Sequence, residues 1–289
     1  MWGLAGNVAK YLFNQQVNPV DLAQIRLFLS FLFLAAYLAL FRRPLFRVAR
    51  PHRLFLIILG TAGLTAVQIT YLLAISRTNV ATAIFLQYLA PVLIMGYGLL
   101  AGTERITAFS GPALVCSVLG GFLMVTGTPG GGLAVSPAGL AAGLASALAM
   151  SFYTIYSQKW LAVYSSWTIL LWGFGCGSIL FCLYRLPWIT LLRYSPEEWL
   201  FFVYIALFSS IIPFGLYIKG LNYLNPLKAS LTSTLEPVLA GVLAFLLLGE
   251  RLTAWQVAGG GLILSGVVLI QLAGAPKTAQ KTFGRTDTL

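Results

Sequence analysis

LAPVLIMGYGLLAGTERIT at 89–107 and LEPVLAGVLAFLLLGERLT at 235–253 are two versions of one sentence. In each, a Pro-Val-Leu triplet is followed, thirteen residues after the proline, by Glu-Arg-x-Thr. The match extends without a gap over 71–107 against 217–253, at a constant offset of 146, with 11 of 37 positions identical. Tyr71 meets Tyr217, Asn79 meets Asn225, Pro91 meets Pro237 and Glu104 meets Glu250. Shared Leu and Val are common coincidences in apolar sequence. A proline and a distant Glu-Arg-x-Thr, twice in register, mark an internal repeat.

The repeat lies in a chain built for lipid. Hydrophobic residues make up 59% and charged residues 9%, with a mean hydropathy of +0.88. Soluble domains carry roughly 45–50% and 25%. Apolar runs long enough to cross a bilayer, about 20 residues, occur near 20–41, 54–76, 80–101, 109–128, 137–157, 166–186, 199–218, 227–248 and 254–273. The opening stretch, Met1 to Phe13, reads as part of a tenth. It is short for a span, which points to a start upstream of Met1. The expected fold is therefore all-α and polytopic, ten transmembrane helices in two halves. The first half covers 1–128, the second 137–273, and 274–289 form a polar tail. Five helices per half is an odd number, so the second half enters from the opposite side and the repeats are inverted.

With the 42–53 loop placed in the cytoplasm, twelve Lys and Arg collect on that side and four on the other, Arg77, Arg185, Arg193 and Arg251. This follows the positive-inside rule and puts both termini in the cytoplasm. The net charge of +11 invites a nucleic-acid reading, but the basic residues lie between apolar runs and form no soluble basic face. Cys116, Cys176 and Cys182 sit in apolar runs without metal spacing and read as small buried hydrophobes. No cleavable signal peptide is visible in MWGLAGNVAKYLF, which lacks a basic n-region and leads directly into further apolar runs. No glycine-rich loop follows a strand, so no nucleotide site is implied. His52, the single histidine, lies in a basic loop and reads as solvated or lipid-facing. Catalysis would want paired carboxylates, histidine ligands or a Ser–His arrangement. The sequence offers none of these and implies no enzyme, metal or cofactor.

The phrases WGLAGNVAKYL, DLAQIRLFLS, LAPVLIMGYGLLAGTERIT and LEPVLAGVLAFLLLGERLTAWQVAGGGLILSGVVLI resemble the two EamA repeats of the drug/metabolite transporter superfamily. The first half departs mildly, with Thr103 inserted before Glu104. The resemblance covers nearly the whole chain. It implies a secondary carrier of a bacterial-type inner membrane, exporting or exchanging small metabolites such as amino acids or related amines and acids, as a monomer or homodimer in the lipid bilayer. Within the same superfamily, a sugar-phosphate or nucleotide-sugar exchanger would want several cations in its cavity. A flippase of lipid-linked substrates would want a groove open to lipid.

Ionisable residues inside a bilayer are costly and are candidates for function. Glu236 stands mid-span before Pro237, among Ser230, Thr232, Ser233 and Thr234. It is the candidate for substrate binding and for a coupling proton; a structural partner for a buried cation is the competing reading. Lys10 and Arg26 match a lysine and an arginine of the resembled family's first two helices. Lys10, with Asn7 beside it, suits a substrate carboxylate or Glu236. Arg26 lies near its span end and can snorkel, which favours a structural role. Gln68, Tyr71, Gln87 and Tyr88 suit a solvated cavity, and Tyr153 on the sixth span is the better placed of two tyrosines there. Tyr156 and Trp160 read as interfacial anchors. Glu104-Arg105 and Glu250-Arg251 read as helix-end caps or salt bridges. Gly139 and Gly143, Gly173 to Gly177 and Gly259 to Gly261 read as small-residue packing faces.

Overall fold

A computed structural model describes residues 2–127, 136–248 and 252–273. Every element in them is helical. The ten segments are α1 (Trp2–Asn14), α2 (Pro19–Phe41), α3 (Arg53–Ile58, Leu59–Thr65 and Ala66–Arg77 in continuous succession), α4 (Val80–Gln87 and Ala90–Leu100), α5 (Ser110–Thr126), α6 (Pro137–Trp160), α7 (Ser166–Cys182), α8 (Pro196–Tyr204, Ile205–Ile211 and Ile212–Gly220), α9 (Pro226–Ser233 and Glu236–Leu248) and α10 (Ala254–Leu272). Six are long and apolar enough to cross a membrane on their own numbers; α5 and α7 are shorter apolar helices. The protein is a polytopic membrane protein. The Glu250-Arg251 pair, the glycine-rich stretch at 130–132 and the tail from 274 lie outside the described residues.

Helix starts follow local rules. Orphan N–H groups of a first turn need acceptors. Asn18, Asn79, Ser136, Ser165, Asn225 and Thr253 supply side-chain oxygens to the starts of α2, α4, α6, α7, α9 and α10. Ser195 with Glu198, and Thr253 with Gln256, close capping boxes. Proline at the first helical position of α2, α6, α8 and α9 adds a backbone already set for the turn.

The repeat is more visible in the backbone than in side-chain identity. α3 widens into a π-helical turn at Leu59–Thr65, and α8 does so at Ile205–Ile211, 146 residues on. Thr65 Oγ1 donates to the Gly60 carbonyl and Ser210 Oγ to the Ile205 carbonyl, each five residues back, as a widened turn requires. α4 breaks at Tyr88-Leu89 and α9 at Thr234-Leu235, again 146 apart and just before the paired prolines. The proline supplies no donor to the preceding turn and cannot continue the ladder. Unbroken spans were the simpler expectation from hydropathy; the runs near 80–101 and 227–248 are each two helices in line. The run expected to reach 186 ends as α7 at Cys182, and a short helix, Pro187–Leu191, follows.

α5 and α10 make the most extensive helix contact. A Cβ on Gly120 would lie 2.6 Å from the Gly259 carbonyl oxygen, and one on Gly266 would lie 2.8 Å from that of Ala113. Gly266 is the counterpart of Gly120, and Gly259 of Ala113, at the same offset. The two approaches are one contact seen twice through the pseudo-two-fold axis. A large core joins α1 to α4 with α6 to α8, and a smaller one, around Ile94, Ala113, Leu231 and Ile270, ties α4, α5, α9 and α10. The cysteines are not the buried hydrophobes anticipated: Cys116 and Cys176 are half-buried and Cys182 is exposed.

Gly120→Val forces a branched side chain against a backbone oxygen that cannot move aside. It is expected to lower stability by about 1–3 kcal/mol, measured as thermal unfolding in detergent. Gly261→Ala, with nothing within 4 Å of its added Cβ, is expected to leave the midpoint unchanged or raise it.

Candidate functional site: a cavity on the repeat axis

Seven of the ten helices (α1, α2, α3, α4, α6, α8 and α9) line one cavity. Position pairs 146 apart face it together: Gln68 with Phe214, Ile84 with Ser230, Gln87 with Ser233, and Ala90 with Glu236. The cavity thus sits on the axis relating the halves, where repeat transporters place their sites. The shape is symmetric and the chemistry is not. One half contributes Gln and aliphatic groups where the other contributes Ser and a carboxylate.

Glu236 opens the second part of α9, at the break. Tyr88, at the matching break of α4, donates its phenolic hydrogen to Glu236 Oε2 at 2.8 Å. Each break therefore aims a polar side chain at the other across the axis. Tyr71, one wall over, lines the same cavity as Glu236 and Arg26. Its hydroxyl lies against Gly6 of α1, where a Cβ would come within 3.2 Å.

Arg26 is 4% exposed and lines the cavity. It does not reach for a membrane surface, as its distance from the span end suggested. Its Nε donates to Ser210 Oγ at 2.6 Å and its Nη2 to the Ser209 carbonyl and Oγ at 2.8 and 2.9 Å. The π turn of α8 offers these acceptors, and the Ser209 carbonyl also accepts from Trp2 Nε1 at 3.0 Å. Nη1 makes no hydrogen bond among the described residues, and neither Arg26 nor Glu236 forms an ion pair with one. A buried cation held by neutral oxygens keeps charge available for a ligand.

Of the residues singled out from sequence, Gln68, Tyr71, Gln87, Tyr88, Ser233 and Glu236 all line this cavity. Gln87 Nε2 is held by Ser146 Oγ at 2.9 Å, whereas Gln68 Nε2 is buried without a hydrogen bond. Ser233 Oγ donates to the Ser230 carbonyl, one of those freed where α9 breaks. Three candidates lie elsewhere. The Lys10 ammonium caps the end of α3, donating to the Ile75 and Thr78 carbonyls at 3.3 and 3.1 Å; cations suit helix C-termini. It does not meet Glu236. Asn7 is exposed and outside the cavity wall. Tyr153 is 1% exposed and packs edge-on against Phe214 at 5.8 Å, behind the wall. Trp2, Met150, Ser209 and Phe214 are wall residues that sequence reading did not assign, and Arg26, read there as structural, joins them. The adjacent Ser209-Ser210 in mid-span was the available signal for the arginine's berth.

Tyr88→Phe and Glu236→Gln are expected to be non-additive, with a coupling of about 0.5–3 kcal/mol in thermal unfolding, because each removes one side of the same buried hydrogen bond. Additive effects would mean that the two side chains do not share it.

Comparison with known proteins agrees with this architecture. The sequence profile described as the EamA-like transporter family matches residues 1–126 and 137–272. The uncharacterized inner membrane transporter YicL of Salmonella typhimurium is 32% identical over 94% of this chain and 92% of its own. An uncharacterized transporter of Archaeoglobus fulgidus is 29% identical over 92% of each. A solved structure, titled only as the crystal structure of a protein, superposes with a TM-score of 0.71 at 19% identity, over 93% of this chain and 96% of that one. That likeness concerns the fold alone. Ten helices in two matching halves, a cavity between them and a profile that matches each half in turn place this chain in the EamA-like transporter family.

Proposed function

We propose that the protein is a secondary-active carrier of the inner membrane that exports small metabolites bearing both a carboxylate and an amine, amino acids and close relatives among them. The observation that carries this reading is the polarity of the cavity. Arg26 keeps a free donor edge on one side, and Glu236 with Tyr88 stands on another, while Trp2, Val67, Ile84, Met150 and Phe214 supply apolar wall. A carboxylate fits the guanidinium and an ammonium group fits the glutamate; the apolar wall takes a side chain. One arginine in the wall suits one carboxylate better than the dianionic phosphate of a sugar-phosphate substrate. The family resemblance supports export, and the relative's inner-membrane name supports that location. The positive-inside bias supports cytoplasmic termini.

Alternating access follows from the inverted halves: each can rock against the other around a cavity to which both contribute. Glu236 is the group that would bind the substrate's ammonium when ionised and a proton in its place on the return half of the cycle, coupling export to the proton gradient.

The test starts with a thermal-shift screen of amino acids, polyamines and sugars on purified protein, followed by counterflow in liposomes. Carboxylate-bearing amines are expected to stabilise and exchange; stabilisation by sugars alone would end this assignment. Arg26→Gln is expected to weaken the apparent affinity for such substrates roughly ten- to a hundredfold, the worth of one charge-assisted hydrogen bond. Glu236→Gln is expected to weaken the apparent affinity as well, to leave exchange measurable at raised substrate concentration, and to lose accumulation driven by a pH gradient. Gradient-driven accumulation at the wild-type level in Glu236→Gln would remove the glutamate from the coupling role.

A further inference from the structure

Among the described residues the two ion pairs both involve Asp21, and neither touches the cavity. Asp21 lies in the first turn of α2 and is 1% exposed. Arg185 Nη1 stands 3.5 Å from one carboxylate oxygen and Arg193 Nη1 3.4 Å from the other. Tyr194 donates to the same carboxylate at 2.9 Å. Burial pushes the Tyr194 phenol up to about 12, so it stays a donor. Its oxygen also accepts from the Asn18 amide at 3.4 Å. Gln24, one turn on, donates to the Phe181 and Arg185 carbonyls and accepts from Thr190 Oγ1. The connection from α7 to α8, which belongs to the second half, is fastened over the start of the first half's second helix.

The other end of α2 has a matching arrangement with different chemistry. There the connection from α2 to α3, which belongs to the first half, is fastened over the start of the second half's second helix, α7. Thr168 donates to the Leu45 carbonyl at 2.9 Å, and Tyr164 Oη accepts from the Ala49 amide at 3.2 Å. His52 Nδ1 lies 2.7 Å from the same Tyr164 oxygen, with its ring edge-on to Trp160 at 4.8 Å. Phe55 stacks on Trp160 at 4.1 Å. His52 is thus a member of an aromatic cluster and not the free loop residue its sequence context suggested. Tyr156 and Trp160 belong to the same cluster. The two fastenings are separated by the length of α2, 23 residues or roughly 34 Å. Arg26 of the cavity lies between them on the same helix.

We propose that these are the two alternating clasps of the carrier: the ionic cluster around Asp21 shuts one end of the cavity, the Tyr164–His52–Trp160 cluster shuts the other, and each opens while its counterpart holds. This rests on the carrier reading given above. Both clasps cross between halves, and in both one partner sits on a connection and not on a packed span. A connection can lift without unpacking the core. Arg193 is already half exposed, so lifting returns Asp21 and its arginines to water together. That rehydration offsets the loss of the pair, which a core ion pair could not recover. The chemistry also makes the clasps unequal. Salt screens partly exposed charges and leaves hydroxyl, amide and ring contacts nearly untouched.

The experiment uses the full chain in liposomes with Cys116, Cys176 and Cys182 replaced by Ser. Asn18→Cys with Tyr194→Cys, or Ala49→Cys with Tyr164→Cys, is joined by a short bifunctional thiol reagent. Counterflow of a compound carried by the unlinked protein is expected to vanish on linking at either end and to return with a cleavable reagent once cleaved. Counterflow that continues after verified linking at either end overturns the clasp at that end while leaving the carrier reading intact. No counterflow by wild-type protein, with any compound of the screen, removes the carrier reading and the clasps with it. Where a cysteine pair does not fold, Arg193→Gln serves. It is expected to increase labelling of a cavity cysteine, Ser233→Cys, by an impermeant thiol reagent from the Asp21 end; unchanged labelling overturns the ionic clasp.

Discussion

Inside hydrocarbon a backbone carbonyl has no water to turn to, and this single constraint governs where the chain may be irregular. Lipid-facing backbone must be unbroken helix, and irregular backbone survives only where protein or a cavity supplies partners. The four irregularities of this fold obey that limit. The breaks of α4 and α9 adjoin the cavity, where Tyr88 and Glu236 meet. In α8 the π turn releases the Ser209 carbonyl to Arg26 and Trp2. In α3 the π turn is stitched by Thr65 and packed by Tyr153 against Gly63. Irregularity and polarity occur together because each makes the other tolerable. A freed carbonyl needs a donor, and a buried donor needs a carbonyl.

Much of the fold was legible in the sequence, because membrane helices announce themselves by length and the repeat by spacing. The runs near 20–41, 137–157 and 254–273 match α2, α6 and α10 closely. What escaped was anything decided by a neighbour distant in the chain. Hydropathy cannot place the break at Thr234-Leu235, since Ser230, Thr232, Ser233 and Thr234 make the first piece of α9 more polar without marking where the helix ends. A π turn leaves no compositional mark. In the cavity, Glu236 and the Gln and Tyr residues of α3 and α4 were legible because polar groups in mid-span are rare. Lys10 looked equally eligible. Its ammonium is taken by two carbonyls at the end of α3, a partner that only packing reveals. Arg26 erred the other way: distance from a span end suggested a route to water, whereas Ser209 and Ser210, more than 180 residues on, supply the berth.

The cavity owes its polarity to inequality between otherwise similar halves. Backbone irregularities coincide at an offset of 146, and wall positions coincide with them. Side chains at those positions were free to differ. Ala90 stands where the second half has Glu236, and Phe214 where the first has Gln68. A cavity so built has a symmetric outline and an asymmetric distribution of polar groups.

The seam between α5 and α10 points further back. Gly120 on Gly259 and Gly266 on Ala113 are the same contact repeated by a two-fold operation, the hallmark of an isologous subunit interface. The halves meet as two copies of one protein would, one inserted upside down relative to the other. In a true homodimer every substitution appears twice, so a carboxylate in the wall must face a second carboxylate across the axis. Joining the copies into one polypeptide lifts that restriction, and a lone glutamate opposite an alanine becomes possible without disturbing the interface that holds the pair together.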